Sequence, residues 1–326
     1  MQYGILKNTT AIISLIAALA VMFGCKGPND ADPDPDPTET AYLYIADSEN
    51  NRVVRVTDLE GGEWTELTQS PDGLESLNKP MDITFDSSGR IYIINALSPL
   101  LVRVDDITGA GWTSFGSVGT GEGQFVNPLG VYVDLMERIY ICDGMNERVV
   151  RIDDMTGSNW TSIGTYGTGV NEFGRPRKIT IDADGHLLVA DSNAFRIVQF
   201  DDMIGTNWTD VFSTHSGPGY FNAPYQIAFD DQGRYVVSTD FGIVRFDDFA
   251  MTNWISFGSQ GHGQDNFDLA SGFCFRPDGG FIITDTRNDR IVTIDDLSGA
   301  NWEVYGESGS GTGQFDNPTD IELRFE

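Results

Sequence analysis

The stretch RVVRIDDMTGSNW, Arg148 to Trp160, packs two adjacent aspartates, a glycine and a tryptophan into one short span. Clustered carboxylates on a flexible loop are what a calcium ion requires. The same residues also make a tight turn between two strands, because Asp caps turns and Gly supplies positive φ. Recurrence decides between the two. The stretch returns as RVTDLEGGEW, RVDDITGAGW, QFDDMIGTNW, RFDDFAMTNW and TIDDLSGANW, with Trp64, Trp112, Trp160, Trp208, Trp254 and Trp302 spaced by 48, 48, 48, 46 and 48 residues. A repeat of 40 to 50 residues with four short β-runs per unit is the signature of a β-propeller, and no stretch with helical periodicity competes with it.

Within one unit, KITIDADG alternates in polarity and ends in a turn, HLLVADS follows as a second strand, FRIVQFDD as a third, and the Trp208 region as a fourth. Counting from Ala41, 286 residues remain, against 288 for six units of 48. The predicted fold is therefore all-β: a six-bladed propeller of four-stranded antiparallel blades spanning 41–326. The chain enters out of phase, at AYLYIADSENNRVVRV, which is a second strand onward, and ends on TDIELRFE, which matches the first strand MDITFDSSG. The C-terminal strand should therefore join the N-terminal blade and close the ring without a free sheet edge.

PRKITIDADGHLLVADSNAFRIVQFD, Pro176 to Asp201, resembles the NHL repeat: a Pro-x-Gly start, a hydrophobic strand ending in Asp, a Gly turn, a YVAD-type strand and an R-I third strand. The resemblance runs through all six units. It implies the propeller fold, and for function it implies several classes, since NHL-like propellers serve as protein-binding, RNA-binding, sensor and enzymatic domains.

Composition narrows these. A formal net charge of −29 repels phosphate backbones, so no nucleic-acid partner is expected. With 40% hydrophobic residues, and 37 glycines against 13 prolines, the chain is folded and rich in turns. Three cysteines are too few for a disulfide framework. Cys142 and Cys274 fall on opposite sides of the predicted ring, so both should be free thiols.

The N-terminal residues follow a different logic. Lys7 precedes the apolar run AIISLIAALAVMF, Ala11 to Phe23, which is short for a bilayer span and suits a signal peptide over 1–24. VMFGC resembles the lipobox of bacterial lipoproteins, with Met22 in place of the usual leucine and a bulky Phe23; it implies lipidation at Cys25, the alternative being an ordinary secretory signal. Residues 25–40 alternate Asp with Pro and form an extended tether. The expected location is extracytoplasmic, with a lipid anchor as the sole membrane contact. Lys26 rather than Asp after the cysteine leans towards the outer membrane.

Because the turn is repeated in all six units, with the Asp-Asp pair in five of them, it serves the unit rather than one site, and no bidentate glutamate recurs in it to complete a calcium loop. The Asn-Trp-Thr triplets at Asn159 and Asn207 match a glycosylation acceptor and belong to the same turn. A second recurrence pairs Asp47 with Arg52, Asp143 with Arg148, Asp191 with Arg196 and Asp285 with Arg290, each five apart across a tight hairpin. Blade 2 departs from it with Asn95, Pro99 and Leu100, and blade 5 with Thr239 and a two-residue deletion. Those departures point to a surface shaped by a ligand.

The glycine-rich links GTGEGQFVNP, GTGVNEFGRP and GTGQFDNP carry each outer strand into the next inner strand, on the face shared with the second-to-third-strand hairpins. His215 and His262 lie on such links, as exposed loop residues or as a pair that might approach a zinc ion; His186 lies on the opposite face. At the axis the family prefers Gly two residues after the Pro. Gly130 and Gly272 keep it, and Asp82, Lys178, Gln226 and Asp320 replace it. These four, with Asn95, His215 and His262 around them, are the predicted ligand site at the channel mouth, with a divalent cation (Ca or Zn) as a candidate occupant and a solvated channel as the simpler alternative.

No nucleophile triad, Walker loop or dinucleotide fingerprint is present. The expected function is a monomeric binding or sensing scaffold for a protein or small polar ligand. The alternative is a metal-dependent lactonase, hydrolase or lyase of the six-bladed class with its site at the same mouth.

Overall fold

The computed structural model describes residues 39–97, 100–212 and 221–326. The expected signal peptide, Cys25, Pro99, His215 and all of the expected tether except Glu39 and Thr40 lie outside the described residues.

Strands form wherever short β-branched and aromatic runs alternate, and turns fall at the Asp-Gly clusters between them. From axis to rim, blade 3 runs Pro128–Val133, Ile139–Asp143, Arg148–Ile152 and Thr161–Ile163. Five further four-stranded antiparallel sheets repeat this order. Alternate side chains of one strand enter different interfaces: Ile139 and Ile141 pack towards blade 2, Tyr140 and Cys142 towards blade 4. Both faces of a blade are thus buried, and six apolar clusters lie between successive blades.

The ring closes as the sequence requires. Pro318–Phe325 is the inner strand of blade 1 and pairs antiparallel with Ala41–Asp47, with Leu43 opposite Leu323. Pairing continues one residue beyond the expected boundary, since Thr40 and Glu326 exchange backbone hydrogen bonds of 2.7 and 2.9 Å.

The opening stretch is a turn. Asp154 Oδ1 accepts the Thr156 amide at 2.8 Å, and Asp153 Oδ2 accepts the Asn159 side-chain amide at 2.7 Å. The second aspartate does the same work at Asp106, Asp202, Asp248 and Asp296. Gly157 sits at φ +79°, in the left-handed region where a side chain is strained. Trp160 packs on Phe125 of the incoming link, ring centroids 5.4 Å apart.

On the opposite, link-bearing face the Asp–Arg pairs are clamps. Arg148 Nε donates to Asp143 Oδ2 at 2.9 Å, and its remaining nitrogens donate to Thr120, Gly121 and Gln124 carbonyls of the link from blade 2. Asp143 Oδ1 accepts the Val126 amide of the same link at 2.8 Å. Arg52, Arg196 and Arg290 repeat the arrangement. Cys142 and Cys274 are free and buried, as expected.

Two stability predictions follow from closure and clamp. Removing Pro318–Glu326 takes the inner strand from blade 1 and exposes strand edges on the axis; the truncated chain should aggregate or lose its cooperative melt, checked by circular dichroism and size-exclusion chromatography. Arg196 and Asp191 are both fully buried, so Arg196→Ala should cost about 3–5 kcal/mol in urea unfolding by leaving a carboxylate unpaired. Arg287→Ala, at a side chain 61% exposed, should stay within about 0.5 kcal/mol.

Candidate functional site at the axial mouth

Six inner strands converge on the axis, and close approach there explains the two retained glycines: a Cβ on Gly130 would lie 2.1 Å from the Arg177 carbonyl oxygen. Three of the four non-glycine residues at equivalent positions, Asp320, Asp82 and Gln226, bond the neighbouring blade. Asp320 Oδ2 of blade 1 accepts the Ile83 amide of blade 2 at 2.9 Å, and Asp82 Oδ2 of blade 2 accepts the Val131 amide of blade 3 at 2.7 Å. Gln226 of blade 5 exchanges two bonds with the Phe273 backbone of blade 6, at 2.8 and 3.0 Å.

Lys178 of blade 4 crosses the axis. Its Nζ bonds Asp82 Oδ1, reaches Asp320 Oδ1 at 3.1 Å and stands 3.8 Å from Glu322 Oε1. Asp82 and Asp320 are 1% and 2% exposed, so these charges sit in low dielectric, where pairing is obligatory. Burial alone would lower the Lys178 pKa, but Asp320, Asp82 and Glu322 outweigh it and hold it well above 10.5. Burial raises the Asp82 carboxyl well above its usual range, against the pull of Lys178. The cavity left at the mouth is about 20 Å³, room for about one water. The mouth is bolted by a cross-axis ion network.

The other predicted residues lie elsewhere. Asn95 is fully buried and does the work of the clamp aspartate, its Oδ1 accepting the Asn78 amide at 3.2 Å. Leu100, at the clamp-arginine position, joins the core between blades 2 and 3. The link entering blade 2 differs as well: it folds on itself through a 2.8 Å Ser70 to Glu75 bond and the Gln69–Ser76 bridge, and its Glu75 accepts Trp112 Nε1 and Ser114 Oγ. The missing arginine in blade 2 thus accompanies a different link. His262 is exposed on the rim, against Asn288, and its carbonyl accepts Arg290 at 3.0 Å. On the opposite face His186 bonds Asp182 at 2.8 Å.

The donors at the mouth do not fit a metal centre: each aspartate gives one oxygen to a backbone amide and the other to Lys178. Among the described residues no group of three or more His, Cys, Asp or Glu is arranged to hold a cation.

Sequence reasoning passed over Arg177, beside Lys178. Its guanidinium stacks 4.1 Å over the Tyr225 ring, whose hydroxyl donates to Asp240 at 2.7 Å. Burial, with Arg175 and Arg287 nearby, lowers its pKa to about 10. The signal was the change from an apolar residue at the equivalent Met81 and Leu129 to arginine.

The NHL repeat matches residues 173–200, which span the start of blade 4. No curated protein matches the chain in sequence. Among solved structures, the fold is similar to a protein of unknown function from Bacteroides caccae (13% identity, 87% of this chain and 99% of that one, TM-score 0.60). It is also similar to a chain of a nidogen/laminin complex (15% identity, 87% and 98%, TM-score 0.58). A third likeness is to a catalytically inactive virginiamycin B lyase from Staphylococcus aureus with quinupristin (15%, 89% and 97%, TM-score 0.54). At such identities the likeness is one of fold. The chain is a six-bladed β-propeller, and an NHL repeat lies in its fourth unit.

The pH dependence of the bolt has a definite sign. Lys178, with its pKa raised, contributes stability that is complete below 10.5 and lost as pH rises through the folded value. Asp82, also raised, holds a proton in the folded state that the unfolded chain releases, so its contribution falls as pH rises above 3.8. Lys178→Met should cost about 3–5 kcal/mol at pH 7, and the loss should shrink at acid pH as Asp82 protonates. Urea unfolding at several pH values checks both.

Proposed function

We propose that this protein is a non-catalytic binding propeller whose contact surface is the link-bearing rim of blades 2 to 4. The observation carrying this is a break in symmetry. Leu97, Val118, Met145, Tyr166, Val170 and Phe195 are each at least 50% exposed there. The positions equivalent to Tyr166 in blades 6 and 1 are Gln260 and Ser308, and those equivalent to Phe195 are Asn51, Glu147 and Asp289. Phe195 also holds a left-handed conformation, φ +52°, which suits Asn or Asp and strains a bulky side chain.

Exposed aromatics and methionine set among polar residues match the composition of protein-contact hot spots. With a net charge of −29, the partner that suits this rim is a protein offering an apolar anchor within a basic surround. The bolted mouth supports binding over catalysis, since its carboxylates are committed to structure. The chain preceding Glu39 leaves from the Asp-turn face; a lipid anchor at Cys25 on an extracytoplasmic membrane would present the opposite rim outward, which is the orientation we infer.

Phe195→Asn should raise stability by about 1 kcal/mol by relieving the left-handed strain while abolishing partner capture. A photo-crosslinking residue at position 166 or 195 of the full chain, expressed in its own cells, should trap one discrete protein, and the same residue at position 204 on the other face should trap none. Crosslinking from position 204 alone, or capture undiminished in the Phe195→Asn chain, overturns the assignment.

A further inference from the structure

The Asp-turn face carries a second feature, outside the rim just described. Between blades 3 and 4 lies a cavity of about 230 Å³, bounded by Arg138, Tyr140 and Arg151 from one blade and Gly185, Asp201 and Met203 from the other. The neighbouring grooves show what normally occupies this place.

Between blades 2 and 3, Arg90 Nε donates to Asp86 at 2.5 Å, and its terminal nitrogen donates to Glu137 Oε2 at 2.9 Å. Glu137 belongs to the first hairpin of blade 3 and reaches back to cap the arginine. Between blades 1 and 2, Arg55 pairs with the Glu326 carboxylate at 3.2 Å, and the Tyr44 hydroxyl donates to the same group. In the first groove the carboxylate comes from the following blade, and in the second from the end of blade 1's own inner strand, whose equivalent in blade 3 is Met136.

The repeat maps these partners onto the third groove. Arg138 is equivalent to Arg90, and its Nε donates to Asp134 at 2.7 Å in the same way. Arg151 and Tyr140 are equivalent to Arg55 and Tyr44. The position of Glu137 is taken by Gly185, where a Cβ would meet nothing within 4 Å. Among the described residues Arg151 has no ion-pair partner, whereas Arg55 has Glu326; the Nε of Arg151, like those of Arg55 and Arg103, is buried without a hydrogen bond. Arg138 and Arg151, whose counterparts Arg90 and Arg55 take Glu137 and Glu326, here face an open cavity.

We propose that this groove binds a monocarboxylate with a compact apolar or aromatic body, its carboxylate taken by Arg138 and Arg151 and its body lying against Met136 and Met203. The opposite wall is acidic, with Asp182, Asp201 and Asp202. A doubly charged phosphate is disfavoured there, whereas one planar carboxylate matches the guanidinium fork.

The test uses the full chain and titration calorimetry with phenylacetate, its uncharged isostere phenylacetamide, and the tripeptide Ala-Ala-Phe with a free or an amidated C-terminus. Phenylacetate should bind and phenylacetamide should not. Tighter binding of the free-acid tripeptide would assign the carboxylate to a peptide terminus, and binding of phenylacetate alone would assign it to a small acid. Arg151→Met should weaken the acid at least tenfold. Gly185→Glu, which supplies in place the carboxylate that Glu137 provides in the neighbouring groove, should abolish binding; thermal melts identify any variant that fails to fold, and the isostere comparison needs no variant. Equal binding of acid and amide, affinity unchanged in Arg151→Met, or no heat from either acid overturns the proposal.

Discussion

A carboxylate and a guanidinium, five residues apart and largely shut away from water, hold the incoming link to its blade in blades 1, 3, 4 and 6. The constraint behind this clamp is that a link crossing from rim to axis carries carbonyls and amides with no strand beside it to pair them. Arg148 answers three of those carbonyls and Asp143 one amide. The geometry also fixes the hairpin: the residue before each clamp arginine is left-handed, at Asn51, Glu147, Phe195 and Asp289. In those four blades the clamp fixes the link and, through it, the start of the inner strand. The pair itself gains little over an apolar replacement, but losing one partner is costly, which ties the four copies together as a repeat.

At the axis the same logic is used once, with a different topology. Adjacent blades are stitched by side chains that accept from the next inner strand, and one lysine then spans the ring to neutralise two of them. A polar residue at the axis therefore acts as a fastener between blades. The apolar rim of blades 2 to 4 and the open groove between blades 3 and 4 lie on surfaces where no such fastening is needed, and there the repeats diverge.

Much of the architecture was legible because it is periodic. The tryptophan spacing, the two-residue alternation and the out-of-phase ends fixed the blade count and the closing strand, and the recurrence of the Asp-Asp stretch identified a turn. The axial residues were legible in position but not in role. A polar residue at a ring centre reads as a solvated lining, and only coordinates show that Lys178 reaches carboxylates 96 and 142 residues away in sequence. Asn95 was legible as a departure from aspartate, but the changed link that accompanies it was not. Arg177 and Gly185 each differ from their counterparts by one residue type, and the meaning of that difference depends on what the neighbouring blade places opposite.

The closing strand also sets how the protein bears load. Ala41–Asp47 is the first strand the chain enters, and it is paired on both edges, to Pro318–Phe325 and to Arg52–Val56. A pull on the segment before Glu39, resisted at the opposite face, runs along the strand axis and strains both ladders in shear, all bonds together, instead of peeling them one at a time. Rupture then requires concerted loss of many bonds, and such forced opening is governed by the unfolding rate rather than by equilibrium stability. The order of strands in blade 1 makes the ring's point of entry a seam loaded in shear.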